Sequence, residues 1–143
     1  MTTALTTLPV TALKEALLQM PQVEPVTEHI FHGGMYCRQV FREAGMLVVG
    51  KVHKKEHFYM IIMGTVAITT DDGTIEASAP YLFCSKPGTR RAVLSLTDTL
   101  TMTIHRADSV TVEDAEDELV EPDTDSPFGA GNVLKQSLLE KTQ

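Results

Sequence analysis

The chain has 143 residues, of which 43% are hydrophobic, and its formal net charge is −7. This length supports one hydrophobic core and is too short for two. The negative charge argues against a nucleic-acid partner, because phosphate recognition requires a clustered basic face. No stretch approaches the roughly 20 apolar residues of a membrane helix, and the first residues lack the pattern of a secretory signal. We therefore expect a protein of the cytosol with no membrane partner.

The first predicted element is a short helix over residues 11–20. Its apolar residues recur at helical spacing, namely Leu13, Leu17 and Met20. Thr11 can cap this helix and Pro21 can end it. Because one side is apolar, we expect the helix to pack on the main domain or on a neighbouring subunit. Residues 1–34 are assigned to this N-terminal helix and arm.

Between residues 35 and 106 the pattern changes to short β-rich runs separated by turn residues. Such a pattern is typical of an all-β domain and predicts an antiparallel β-sandwich or jelly-roll barrel. Asp71-Asp72-Gly73 is a hairpin signal within it, because Asp and Gly tolerate positive φ. The predicted strands cover residues 36–42, 46–53, 57–63, 65–70, 74–77, 81–84, 91–96 and 99–105.

Alternation along two of these strands predicts which side chains share a face. On the last strand it predicts that the apolar set enters the core, namely Leu100, Met102 and Ile104. The threonines and His105 would then face outward. On the 46–53 strand the same rule places Lys51 and His53 on one face.

The composition becomes acidic after Arg106. Residues 113–127 contain eight Asp and Glu residues and two prolines, which predicts an extended or partly disordered tether. Residues 132–143 then carry leucines at helical spacing and form a second short helical arm, which docks on a partner or folds back on its own barrel. Residues 107–143 are assigned to this acidic linker and docking segment.

No catalytic signature accompanies these elements. The chain has no glycine-rich phosphate loop, no nucleophile elbow, no HExxH, and no spacing typical of a Ser-His-Asp triad. Cys37 and Cys84 show no CxxC spacing, and we expect buried thiols rather than a disulfide. These observations favour a non-enzymatic protein and leave an enzyme as the open alternative.

Two glycine-anchored segments carry the strongest pattern in the chain. The first runs from Gly50 to Gly64, and the second is Lys86-Pro87-Gly88 followed by Arg91. Their order and spacing resemble the two motifs of the cupin family, which implies a cupin-like barrel. In that alignment the family's metal ligands correspond to Lys51, His53 and His57 in the first segment and to Arg91 in the second.

This resemblance argues against a conventional metal centre. Lys51 and Arg91 stand at two ligand positions, and a guanidinium has no lone pair to donate to a cation. We therefore expect no cofactor. The alternative is a divalent transition metal held by His53 and His57 with an irregular third ligand, which would come from His29, His32, Cys84 or Glu56.

A second alternative uses the same residues for a different ligand. Two cations facing each other across a barrel repel unless an anion balances them, and Glu43, Glu56 or a small anionic ligand could do so. A small anionic metabolite or sugar would then occupy a pocket lined by Lys51, His53, His57, Tyr59 and Arg91.

The wider order of residues is similar to a group of small proteins encoded by tailed bacteriophages. The resemblance lies in His29 with His32-Gly33-Gly34-Met35-Tyr36-Cys37-Arg38, Glu43-Ala44-Gly45, Gly50-Lys51-Val52-His53-Lys54, Ala79-Pro80, Ser85-Lys86-Pro87-Gly88-Thr89-Arg90-Arg91 and Thr103-Ile104-His105. It implies a viral setting, in which a small β-barrel is often a capsid-decorating or tail-associated part or an accessory host-takeover factor. We expect this barrel to form a homo-oligomer and to bind another phage protein through its terminal arms. Such a protein would act in the host cytoplasm or be incorporated in the virion.

Overall fold

The computed structural model describes residues 25–70 and 72–122, and these ranges form nine strands and one helix. The strands are β1 Val26–His32, β2 Met35–Arg42, β3 Leu47–Val49, β4 His57–Met63, β5 Thr65–Thr70, β6 Gly73–Ser78, β7 Tyr81–Ser85, β8 Ala92–Ser95 and β9 Thr99–Arg106. The helix is α1 Val112–Leu119. No helix in these ranges is long and apolar enough to cross a membrane.

The strands form two antiparallel sheets. The five-stranded sheet has the order β1-β2-β9-β4-β7, and the four-stranded sheet has the order β3-β8-β5-β6. Neighbours such as β2 and β9 are far apart in sequence, so the chain crosses repeatedly between the sheets. This arrangement confirms the predicted all-β antiparallel sandwich.

Two apolar clusters hold the sandwich together. The larger cluster joins the two sheets and consists of Tyr59, Ile61, Val66, Ile68, Ala77, Phe83 and Val93. The smaller cluster seats α1 on the end of the barrel and consists of Tyr36, Ala107, Ala115, Leu119 and Val120. Burial of these side chains supplies the main driving force for folding.

Strand β1 was missed by the sequence analysis, which placed these residues in the N-terminal arm. It pairs with β2 along its whole length, from Val26 opposite Phe41 to His32 opposite Met35. The strand predicted over 46–53 is shorter than expected, because only Leu47–Val49 pairs with β8. The helices predicted over 11–20 and 132–143 lie outside the described residues.

The extended conformation predicted for 113–127 is wrong for Val112–Leu119, which is helical. Thr111 caps the helix by accepting a hydrogen bond from the Asp114 amide at 3.3 Å. Acidic residues in its first turn also interact favourably with the helix dipole. Ala115 and Leu119, four residues apart, are fully buried, so the helix is held by packing despite its acidic composition.

We expect Gly64→Ala to destabilise the fold far more than Gly45→Ala. Both glycines have φ near +90°, but a Cβ at Gly64 would overlap the Asp98 carbonyl oxygen, whereas nothing lies within 4 Å of one at Gly45. Both variants carry the same backbone strain of about 1–3 kcal/mol, and the clash adds roughly 2 kcal/mol more. Urea unfolding of the two variants measures the difference, and equal losses of stability would contradict the argument.

Candidate functional site

The buried face of β9 is polar. Its inward residues are Thr99, Thr101, Thr103 and His105, and each is at most 7% exposed. The prediction that His105 faces outward is therefore wrong. The alternation was correct, but Leu100, Met102 and Ile104 occupy the outer face of the sheet and are only half-buried.

Three histidines form a triangular cluster inside the barrel. The ring centroids of His53 and His57 are 4.2 Å apart, those of His57 and His105 are 4.7 Å apart, and those of His53 and His105 are 5.6 Å apart. Tyr36 adjoins this histidine cluster, and its ring lies 5.7 Å from His105. The Tyr36 hydroxyl is 2.6 Å from Nδ1 of His29.

Burial keeps these imidazoles neutral. It lowers the pKa of His53 to about 3 and the pKa of His105 to about 2, and the charges of His57 and Arg38 act in the same direction. Burial also lowers the pKa of His57, partly offset by a 3.3 Å contact between its Nδ1 and the Lys55 carbonyl. The histidine cluster is therefore uncharged at neutral pH.

The backbone of His53 joins three parts of the fold. Its amide donates to the Thr89 carbonyl at 3.2 Å, and its carbonyl accepts from the Gly88 amide at 2.8 Å. It also forms an isolated antiparallel bridge with Val120, just after α1. These bonds hold the His53 side chain in the interior, where its Nε2 finds no hydrogen-bond partner in the described part of the chain.

Lys51 and His53 line one cavity, as their shared face predicted. The cavity has a volume of about 70 Å³ and is also lined by Arg38, Arg42 and Glu116. The Lys51 ammonium lies 2.8 Å from a Glu116 carboxylate oxygen, and both side chains are 19% exposed. Glu116 on α1, rather than Glu43 or Glu56, is thus the carboxylate that balances Lys51.

The other three residues of the predicted pocket lie elsewhere. Arg91 donates to the Ser85 hydroxyl at 3.0 Å and to the Thr69 carbonyl at 2.9 Å, and its guanidinium lies 5.2 Å from the centroid of the Phe83 ring. His57 belongs to the histidine cluster. Tyr59 packs in the apolar cluster between the sheets.

Arg38 and Arg42 were missed by the sequence analysis. They alternate with Val40 on β2, and both line the cavity. Arg42 is 9% exposed, and its Nη1 donates to the Thr101 hydroxyl at 3.1 Å. The signal that could have identified them is the alternation of two arginines with Val40 along the predicted 36–42 strand, which places all three side chains on one face.

The residues at the family's metal positions do not form the family's ligand set. A metal binds the in-plane lone pair of a ring nitrogen, and two of the four positions carry a cation instead of such a donor. Lys51 and Arg91 are cations held by Glu116, Ser85 and Thr69. The described residues contain no group of three or more His, Cys, Asp or Glu side chains that could hold a metal, and Cys84 and His32 are exposed.

The sequence matches no family model and no curated protein. Solved structures of cupins resemble the fold. A cupin superfamily protein from Desulfitobacterium hafniense superimposes with a TM-score of 0.52 at 15% identity, over 65% of this chain and 86% of its own. KdgF from Halomonas sp. gives 0.52 at 12% identity over 60% and 82% of the two chains, and the Cnp3 cupin domain of Schizosaccharomyces pombe gives 0.52 at 15% over 61% and 67%. The fold is therefore cupin-like, and identities this low extend to nothing beyond the fold.

We expect stability to fall as the pH drops from 7 to 5. The unfolded chain protonates its histidines near their ordinary pKa of about 6.5, whereas folded His53 and His105 take up protons only near pH 3 and 2. The unfolded state therefore binds more protons, and each of these two histidines costs up to about 1.4 kcal/mol of unfolding free energy per pH unit below 6.5.

Urea unfolding at pH 5, 6 and 7 measures this slope. His57 also has a lowered pKa and adds to the slope, so His105→Gln should reduce it by roughly a third to a half. His32→Gln, which alters an exposed histidine, should leave it unchanged. The Glu118 carboxylate has its pKa lowered to about 2 by the Ser109 hydroxyl and by Lys55, so its own effect begins only below its ordinary value of 4.5 and outside this window. An unfolding free energy that does not change between pH 7 and 5 would contradict the conclusion that the histidine cluster is neutral.

Protein purified without chelators should carry well under one equivalent of transition metal. The reason is that cations occupy two of the four ligand positions, where Lys51 pairs with Glu116 and Arg91 donates to the Thr69 carbonyl. Elemental analysis of the purified chain measures the content. One equivalent that is lost on changing His53 or His57 to Ala would instead establish the metal alternative.

Proposed function

We propose that the protein is a non-enzymatic cupin-like barrel that associates with a second copy of itself through the outer face of its five-stranded sheet. The observation that carries this proposal is the apolar character of that face. Lys51 and Arg91, at positions where cupins place metal ligands, are engaged in contacts within the chain, which favours a binding role over a catalytic one.

The strand registers align apolar side chains in rows across the outer face. One row crosses all five strands and consists of Ile30, Cys37, Ile104, Phe58 and Cys84. The next contains Met102, Met60 and Leu82, and a third contains Val26, Phe41, Leu100 and Met63. The second row begins with Glu28 and Gln39 on β1 and β2, and Glu28 is the one charged residue in the three rows. Phe58 is 45% and Leu82 is 49% exposed, so this apolar surface meets water in the single chain.

The size of the face suits a second copy. Five strands spaced about 4.8 Å apart and seven residues of about 3.3 Å each cover roughly 550 Å². Two copies face to face would bury roughly 1,100 Å², just above the ~1,000 Å² that a specific interface requires. This area is at the upper end of the roughly 300–600 Å² that the largest apolar patch of a monomeric protein covers, and patches of this size often mark an interaction surface.

The setting that we propose is a bacteriophage. The similarity of the residue order to small proteins of tailed phages supports it, and a self-associating β-barrel suits a capsid-decorating, tail-associated or accessory component. In that setting a second phage protein would be a further partner, and the protein would act in the host cytoplasm or within the virion.

Phe58→Glu should convert the self-associated protein to a monomer. Phe58 lies near the middle of the face, and a carboxylate buried there without a partner would weaken association at least about 100-fold. Sedimentation velocity over a concentration series measures the native mass, and thermal melting confirms that the variant is folded.

Val110→Glu is the matched control. Val110 is an exposed apolar residue outside the sheet, 76% exposed, so the same chemical change there should leave the native mass unaltered. A wild-type protein that stays monomeric at all concentrations, or a Phe58→Glu variant with unchanged mass, would refute the proposal.

A further inference from the structure

We infer that the cavity between β2, β3 and α1 binds a small oxyanion, a carboxylate or phosphate group, through Arg38, Arg42, Lys51 and His53. This site goes beyond self-association. It differs from the pocket expected from the sequence, since of those five residues only Lys51 and His53 line the cavity.

The first argument is an imbalance of charge. The cavity is lined by three cations, Arg38, Arg42 and Lys51, and by one carboxylate, Glu116, which pairs with Lys51 at 2.8 Å. Neither ion pair found between described residues involves the two arginines. A guanidinium cannot lose its charge by giving up a proton, so burial must be compensated by a negative group.

The second argument is a set of unsatisfied donors. The Nε atoms of Arg38 and Arg42 are buried without a hydrogen-bond partner among the described residues, as is Nε2 of His53. Arg42 is more than nine-tenths buried. Buried polar groups are nearly always paired, so donors left open around one cavity indicate a ligand that accepts their hydrogen bonds.

The sheet extends this group of donors beside the cavity. Thr103 on β9 lies opposite Arg38 on one side and opposite Tyr59 on the other, and all three residues point inward. The Thr103 hydroxyl is also buried without a partner in the described part of the chain, and the Tyr59 hydroxyl lies beside the Arg42 guanidinium. The unsatisfied donors therefore continue from Arg38 on β2 to Thr103 on β9.

The cavity has the size and the walls that such a ligand requires. Its volume of about 70 Å³ is several times the ~10–15 Å³ that one water needs. Three valines, Gly50 and Pro25 form the remaining walls, so charge interactions inside are screened less than in water. Guanidinium groups match carboxylate and phosphate oxygens in pairs, which selects an oxyanion over a halide.

Glu116 occupies the position of a competing internal anion. Its carboxylate lies at the cavity on α1 and holds Lys51 by an ion pair, so an incoming oxyanion meets one negative charge and a cation that is already engaged. Removing this carboxylate while keeping its shape should therefore strengthen anion binding. Removing a cavity cation should weaken it, and the two opposite changes test the same site.

The test uses the full-length protein at constant ionic strength, with inorganic phosphate and with succinate as the two probes in isothermal titration. We expect saturable binding of one equivalent of at least one probe, and the probe that binds more tightly decides between the phosphate and carboxylate classes. Arg38→Gln should weaken binding at least tenfold. Glu116→Gln should tighten binding several-fold.

Arg106→Gln is the control, because Arg106 is an exposed arginine at the end of β9 and its loss removes the same charge away from the cavity. It should bind as the wild type does, and melting curves verify that every variant is folded. The inference would be overturned if neither phosphate nor succinate bound saturably at millimolar concentrations in at least tenfold excess over the protein. Equal affinities of Arg38→Gln and Arg106→Gln would also overturn it, because binding would then reflect general charge alone.

Discussion

The pairing of β9 with β2 on one side and β4 on the other determines what lies inside this barrel. The two registers place His105 opposite Tyr36, and Thr103 between Arg38 and Tyr59. Because the same strand turns Leu100, Met102 and Ile104 outward, one arrangement of hydrogen bonds creates both a polar interior and an apolar exterior. The candidate cavity and the proposed interface are thus opposite faces of one sheet.

Local patterns in the sequence were sufficient for much of the fold. Alternating β-rich runs with turn residues predicted the antiparallel sandwich, and strand parity placed Lys51 and His53 side by side. Alternation cannot say which face is inside, however, because it is unchanged when the strand is turned over. The sequence analysis assumed that the apolar face of β9 enters the core, and the location of the second sheet reversed that assignment.

β1 contains Glu28, His29 and His32, and it pairs with β2 through the two-residue turn Gly33-Gly34, a local hairpin signal that the sequence analysis did not use. Other features depend on partners that are distant in the sequence. α1 was hidden by its acidic composition, since its stabilising contacts are two buried apolar residues and lysines that precede it by more than 60 positions. Arg38 and Arg42 were overlooked because arginines that alternate along a strand usually face solvent.

The position of α1 follows from the charge of the barrel interior. The inward residues of β2, β4 and β9 include two arginines and two histidines and no Asp or Glu. Cations gathered in a poorly solvated space repel one another, and the barrel strands supply no carboxylate to offset them. Glu116 on α1 supplies one, while Ala115 and Leu119 cover the end of the barrel with apolar surface. The helix therefore closes the barrel and neutralises part of its interior charge at once, and no ion pair within residues 25–70 and 72–122 offsets the charge on the two arginines of the cavity.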